Sequence, residues 1–360
     1  MENKTEYKTE AQTGAHSYFA ARRCIKEFAR DYSQKCGKPA SFIEKDIIAA
    51  KKLNHISLGE YEWIGYERLT EEQKRTVSTL WTRAEFRKTY TDRRYICILM
   101  NKYIFSKVFS DFYGRRIYLA REVDEGKLSL LAEKSGRVVY KPNCKGQGKG
   151  VCVLAANTEA ERAETLDYIR HNPDGIVEEY IIQHDDIARL NPGAVSIIRF
   201  YSVCAPSGSC VFAPVLTTAI SKEISNGCQD ALTAMIDIRT GEVISDAVDQ
   251  NNLIDYAAHP ITGVPFKGLK IPYWDECIEM MRRAIPLAGK ISNIGWDVAV
   301  TKDGPLIIEA NTIPGFNTAQ YRGFSWVTDG YGYQPLFDEI NGKPFTDYDN
   351  KHYEKVLLRV

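Results

Sequence analysis

The chain has 360 residues, 44% hydrophobic and 26% charged, which is ordinary for a globular protein of one large or two to three smaller domains. Its 47 basic and 47 acidic residues cancel, which argues against a general nucleic-acid or anionic-membrane binder. Nine cysteines without a CxxC pair, a polar segment Met1 to Lys8 and the lack of any long apolar run predict reduced thiols in a cytoplasmic protein with no membrane span.

Residues 1 to about 15, with Gly14, carry no periodicity and are expected to be disordered. From 17 to 52 the apolar positions Tyr18, Ala21, Ile25 and Phe28 follow helical spacing. Thr70-Glu71-Glu72-Gln73 is a capping-box pattern, which predicts a helix running on toward Trp81 and Phe86. The pattern gives a mainly helical region over 1–100, an α+β body over 101–345 and a short tail over 346–360.

The body opens its strand pattern with "VVYKPNCKGQGKGVCVL", residues 138–154. Two apolar runs flank a loop holding Gly146, Gly148 and Gly150, which can bring backbone N–H groups close to phosphate oxygens. Lys141 stands at the end of the first strand, where an ammonium could reach a phosphate or simply be solvated. No Gly-Lys-Ser/Thr opens a helix here, so the segment is a glycine-rich hairpin cover and not a P-loop. Cys144, inside the loop, reads as a tolerated small residue.

Residues 176–181, 195–204, 210–219 and 230–237 are rich in Val, Ile, Phe and Tyr and predict strands. Arg199 sits inside the apolar run "VSIIRFYSV", where a charge is costly unless paired. A structural ion pair and a phosphate-facing role both explain it. "RTGEV" at 239–243 reads as a turn, His259 before Pro260 as a turn or packing histidine, and a helix follows Pro272 with Trp274, Ile278, Met281 and Ile285 on one face.

"GWDVAVTKDGPLIIEANTIPG", residues 295–315, is the second hairpin. A turn at Lys302-Asp303-Gly304 centred on Asp303 places Asp297 opposite Glu309, and strand alternation puts Glu309 and Asn311 on one face. Two carboxylates and an amide oxygen then converge, a hard-oxygen site suited to magnesium on phosphates. No His/Cys cluster has zinc spacing, and no Ser-His-Asp or GxSxG pattern is present.

With these motifs in order, and with "LGEYEWIGYERLTEEQK", "NKYIFSKVF", "IVEEYIIQHDDIARLNPGAVSIIRFYSV" and "HPITGVPFKGLKIPYWDE", the chain resembles the sugar-transfer-associated ATP-grasp family. The resemblance runs from about residue 55 to about 325. It implies an α+β ATP-grasp fold of two subdomains clasping ATP, hinged near 178–181, behind the helical N-terminal region. It implies that Lys141 holds the α- and β-phosphates and that Gly146, Gly148 and Gly150 form the lid. Glu178, Glu179, Tyr180 and Ile181 resemble the hinge edge that reads adenine, and His184 or Asp185 the ribose contact. Lys102 resembles an upstream nucleotide lysine, with Lys107 competing for the role. Asp297, Glu309 and Asn311 resemble the ligands of magnesium, two ions in all, and Arg199 a group facing the γ-phosphate or an acyl phosphate.

The activity so implied joins a carboxylate to an amine through an acyl phosphate, releasing ADP and phosphate, on a small, sugar- or polysaccharide-related substrate. A kinase on the same scaffold and a silent ATP-binding protein are the alternatives. The chain departs from its relatives at Val195-Ser196-Ile197, where an Asn-Thr pair is usual, and at Asn226-Gly227, where a Gly-Gly is missing. The loop of the second departure is expected to shape the acceptor side.

Overall fold

Among the described residues helices run from His16 to Tyr113, and two antiparallel sheets follow. The computed structural model describes residues 16–146, 148–205, 208–220, 231–249, 253–314, 319–346 and 351–360. The first fifteen residues and the Asn226-Gly227 departure lie outside the described residues.

His16–Cys36 (α1) and Ala40–Asn54 (α2) form a helical hairpin, broken where Gly37 takes a left-handed φ of 72° and Pro39 follows. Ser57 and Glu60 make a capping box that opens Leu58–Ile64 (α3). The box expected at Thr70 and Gln73 is formed, but the helix it opens is only Glu71–Thr76 (α4). A second box, Thr79 with Thr82, starts Leu80–Tyr90 (α5), so the single helix read through to Phe86 is two. Gln320 causes the break. Its amide accepts from Ser78 N at 3.0 Å and donates to Ser78 O at 2.6 Å, drawing that peptide out of any helix. Ile96–Met100 (α6), Lys102–Val108 (α7) and Ser110–Tyr113 (α8) complete the run.

The smaller sheet comprises Ile117–Leu119 (β1), Arg137–Pro142 (β2), Cys152–Ala155 (β3) and Gly175–Glu179 (β4), in the order β1-β4-β2-β3. Glu125–Ala132 (α9) and Glu159–His171 (α10) pack on it through Leu128, Leu131, Leu166 and Ile169 against Val138, Tyr140 and Val177. After Asp185–Ala188 (α11) comes the larger sheet: Ile197–Ala205 (β5), Gly208–Ala219 (β6), Ala231–Met235 (β7), Ala247–Asp249 (β8), Asp255–Tyr256 (β9), Asn293–Thr301 (β10), Gly304–Asn311 (β11) and Leu357–Arg359 (β12). Its order is β11-β10-β5-β6-β7-β8-β9, with β12 on β6. Trp274–Ala284 (α12) follows Pro272 as the spacing requires, and Gln334–Ile340 (α13) lies near the end.

Strand alternation sorts the larger sheet into two buried faces. Ile198, Phe200, Ile294, Trp296, Val298 and Val300 pack against α7, α8 and α12. Tyr201, Phe212, Val215, Met235 and Val248 pack with residues of α1, α2, α3 and α5 and with Tyr321, Phe324, Tyr333, Phe337 and Tyr353. The N-terminal helices therefore share one core with a face of the sheet. Among the described residues no helix is long and apolar enough to cross a membrane.

Candidate active site

The acidic hairpin is β10 and β11. Asp297 pairs with Glu309 and Gly295 with Asn311, as the spacing requires, but by a different route. Thr301 pairs with Gly304, closing a two-residue turn of Lys302 and Asp303. That turn alone would set Asp297 opposite Ile308. A β-bulge shifts the ladder between Asp297 and Val298, leaves Ile308 as the extra residue and brings Glu309 opposite Asp297. The other neighbour of Asp297 is Arg199 on β5, directly across the ladder. Arg199 also stands beside a bulge: Arg199 faces Val215 while Tyr201 faces Phe212, so Ala213 and Pro214 of β6 are out of step. Pro214 is tolerated there because a bulge needs no ladder N–H from it. Gly295 is also required, since a Cβ on it would lie 2.6 Å from Cβ of Pro314.

Arg199 donates through Nε to Asp297 Oδ1 and through Nη2 to Asp297 Oδ2 at 2.9 Å. The bland explanation of a strand arginine, an ion pair, thus holds, and its partner is one of the predicted metal ligands. Burial and the nearby charge of Glu309 push the Asp297 carboxyl up to about 6 despite Arg199. Asn311 donates through Nδ2 to Glu309 Oε1 at 3.3 Å, which leaves its amide oxygen to coordinate. Among the described residues no group of three His, Cys, Asp or Glu could hold a metal. Two carboxylates and one amide oxygen fit magnesium, which keeps several positions for phosphate oxygens and water. A divalent cation would also relieve the repulsion between Asp297 and Glu309.

On the smaller sheet, Lys141 extends from β2, and its Nζ lies 2.6 Å from Glu178 Oε1 on β4. Glu178 is 1% exposed. Arg115 donates to its Oε2 from Nε at 3.1 Å, and the Tyr113 hydroxyl donates to the same oxygen. Burial alone would push this carboxyl up; the charges of Arg115 and Lys141 outweigh it and hold the pKa down at about 2. The Glu178 side chain therefore faces inward onto cations, and a hinge role at this position falls to its backbone. Glu179 is also buried, accepting from Arg116 N at 2.7 Å. Tyr180 lies under the Arg137 guanidinium, and Ile181 packs with Ala299 and Leu306.

Lys102 lies against the glycine-rich hairpin, within electrostatic range of the acidic one. Burial lowers its pKa, and the charges it senses are Glu309, Lys141 and Glu178, from both hairpins. Its Nζ donates to Lys145 O in the glycine-rich loop at 2.5 Å. Lys107 instead lies over the Tyr103 ring, 4.8 Å from its centre. In the loop, Gly148 and Gly150 take left-handed φ of 65° and 78°, and a Cβ at Gly150 would meet Pro142 Cγ at 2.9 Å. Gly146 is exposed with open space around it, and Cys144 is exposed beside it.

The ribose candidates lie farther along. His184 caps α11, its Nδ1 accepting from Asp186 N at 3.2 Å. Asp185 is exposed and paired with Lys302 Nζ at 3.0 Å, at the tip of the acidic hairpin. His259 is buried, with Nε2 2.8 Å from Ala219 O, a packing histidine as its sequence setting suggests. Sequence reasoning missed Tyr113 and Arg115. Nothing in "YGRR" separates Arg115 from its exposed neighbour Arg116.

The family described as sugar-transfer associated ATP-grasp matches residues 82–325, more than half of the chain. The chain belongs to the sugar-transfer-associated ATP-grasp family. No curated protein matches this family member. Its solved neighbours include the ATP-grasp ligase PsnB complexed with minimal precursor, 16% identical, with TM-score 0.43 over 70% of this chain and 64% of that one. The D-alanine–D-alanine ligase from Bacillus anthracis complexed with ATP is 14% identical, with TM-score 0.42 over 70% and 68%. The ADP complex of N5-carboxyaminoimidazole ribonucleotide synthetase is 13% identical, with TM-score 0.41 over 69% and 52%. The ATP-grasp chain thus spans between about half and two thirds of these proteins' lengths, and the likeness reaches no further than the fold.

Proposed function

We propose that this ATP-grasp protein is a carboxylate–amine ligase that consumes ATP, forms an acyl phosphate and releases ADP and phosphate. The observation that carries the reading is that both hairpins are tied together: Arg115 bonds Glu178, the partner of Lys141, and the carbonyls of Ile307 and Ile308 beside Glu309, and the Lys102 ammonium is within electrostatic range of Lys141, Glu178 and Glu309. Two hairpins far apart in sequence thus bring mixed charge near one another, which suits a triphosphate. In this reading residues 101–345 are the nucleotide-binding unit, hinged near 178–181, and 1–100 contribute to the acceptor side.

Lys141 and Lys102 hold phosphate oxygens as point charges, and the amides around Gly146, Gly148 and Gly150 cover them. The backbone of Glu178 to Ile181 receives the base, and His184 or Asp185 the ribose. Asp297, Glu309 and Asn311 would hold magnesium, two ions in all, which offsets phosphate charge when bound. Arg199, already steered by Asp297, stabilises the oxyanion that develops on the acyl-phosphate carbonyl as the amine attacks it and phosphate leaves. Closing of the glycine loop keeps water from the acyl phosphate. No protein nucleophile is needed, so positioning and fixed charge supply the rate. The eight cysteines among the described residues are all free, which supports a reducing, cytoplasmic setting. A sugar- or polysaccharide-related acceptor is favoured by the family's description.

ADP release is the test, screened against amino acids together with nucleotide-linked uronic acids. Phosphate release that requires an amine supports the ligase. AMP release overturns it, and a stable phosphoester formed without an amine makes the protein a kinase.

A further inference from the structure

Arg115 is buried between the two phosphate grips and touches both. Its Nε donates to Glu178 Oε2 at 3.1 Å, and Glu178 in turn holds the Lys141 ammonium at 2.6 Å. Its Nη1 donates to Ile307 O at 3.0 Å and its Nη2 to Ile308 O at 3.2 Å. The guanidinium is fixed in plane by the Tyr113 ring, 3.6 Å away, and by Tyr113 O, which accepts from Nη1 at 2.9 Å.

Ile307 and Ile308 are the residues at the bulge of β11, and that bulge decides whether Ile308 or Glu309 stands opposite Asp297. A bulge leaves its extra residue outside the regular ladder, so the carbonyls beside it need donors from elsewhere. A guanidinium carries five N–H groups in a rigid fork, and this one meets a carboxylate and three carbonyls at once, four acceptors where an ammonium has only three donors. One planar cation therefore sets the spacing between the ammonium of one hairpin and the carboxylates of the other.

We propose that Arg115 is a positioning residue of the nucleotide site, locking the bulge that aligns Glu309 with Asp297 to the carboxylate that aims Lys141. The inference rests on the nucleotide reading above and adds how the two halves of that site are kept in register.

The test is ATP titration of the full chain, native and Arg115→Lys, once with Mg2+ and once with EDTA. Lysine keeps a cation beside Glu178 but lacks the planar fork and the fourth donor that hold the strand carbonyls in place. The expected result is that the ratio of ATP affinity with Mg2+ to that without falls about tenfold in the variant, the scale of losses when a group orienting metal ligands is removed. The ratio is read on folded protein, so a residue that only stabilises the fold would not move it. A ratio equal to the native one overturns the inference. Should Arg115→Lys fail to fold, Glu178→Gln cuts the same link from its other end. The metal-free ATP affinity is then expected to fall about tenfold and the Mg2+ ratio to change less; the reverse pattern overturns the inference. A native chain that binds no ATP at all removes the nucleotide reading and this inference together, whereas native binding with an indifferent Arg115→Lys removes the inference alone.

Discussion

At position 178 a single carboxylate sits between two cations and a phenol, with almost no solvent to share its charge. Its pKa of about 2 lies below the ordinary 4.5, so its stabilising effect is fully present above about pH 4.5 and is lost as pH falls toward about 2. That difference is worth roughly 3 kcal/mol. Glu178→Gln leaves the cations uncompensated and should cost about 3–5 kcal/mol. Urea unfolding between pH 6 and pH 2 is expected to show a steeper fall for the native chain than for the variant; parallel curves would remove the carboxylate's assigned role. Lys141 and Lys107 make a second comparison. Lys141→Ala should weaken ATP binding by about tenfold or more, on the scale of a charge-assisted bond. Lys107 rests on Tyr103, and its replacement by alanine should leave ATP affinity within about twofold in the same titration. Of the proposed site, Lys141, Asp297, Glu309 and Asn311 stand in short motifs that the sequence itself displays. Arg115 was not legible there, because its partners come from positions 178, 307 and 308, and no local pattern encodes them.

Elements were read best where the chain punctuates itself and worst where a distant side chain intervenes. The glycine hairpin, the strand of Arg199 and the helix after Pro272 formed as expected, since turn residues and apolar periods mark them. The helix from Thr70 did not run on, because the Gln320 amide takes both polar atoms of the Ser78 peptide. Thr79 then restarts the helix: its Oγ1 accepts from Thr82 N at 3.2 Å and donates to Asn54 O at 2.7 Å. Thr79→Ala should therefore cost about 1–2 kcal/mol, measurable by urea denaturation. No loss would mean that Gln320 alone sets the boundary. The acidic hairpin teaches a different lesson. The facing of Asp297 and Glu309 came out right although the turn was misplaced, because the bulge at Ile308 makes up the missing residue. Sequence periodicity carries no mark of such a bulge.

At the scale of the whole molecule, the N-terminal helices are bound into the structure by shared core. Phe28, Tyr32, Tyr61 and Trp63 lie in one cluster with Tyr201, Phe212, Val215 and Met235 of the larger sheet. A chain beginning at residue 91 would leave that sheet face open to water. Exposed apolar area of this kind drives association, so such a chain is expected to elute as aggregate in size-exclusion chromatography. A stable monomer would show that the helices are an independent appendage. By strand alternation the same sheet face carries Arg199 and Asp297.

The glycine-rich loop is hung from one side. Lys102 N donates to Asn143 O at 3.1 Å, Tyr103 N to Asn143 Oδ1 at 3.1 Å, and Lys102 Nζ to Lys145 O. On the far arm, Lys149 N and Val151 N turn back onto Gly146 O and Gly148 O. A ligand arriving here needs to freeze only the unmoored half, so the entropy lost on capture is smaller than for a loop free at both ends. Amide exchange should register that asymmetry before any ligand is added, slow at residues 102 and 103 and fast at 149 and 151.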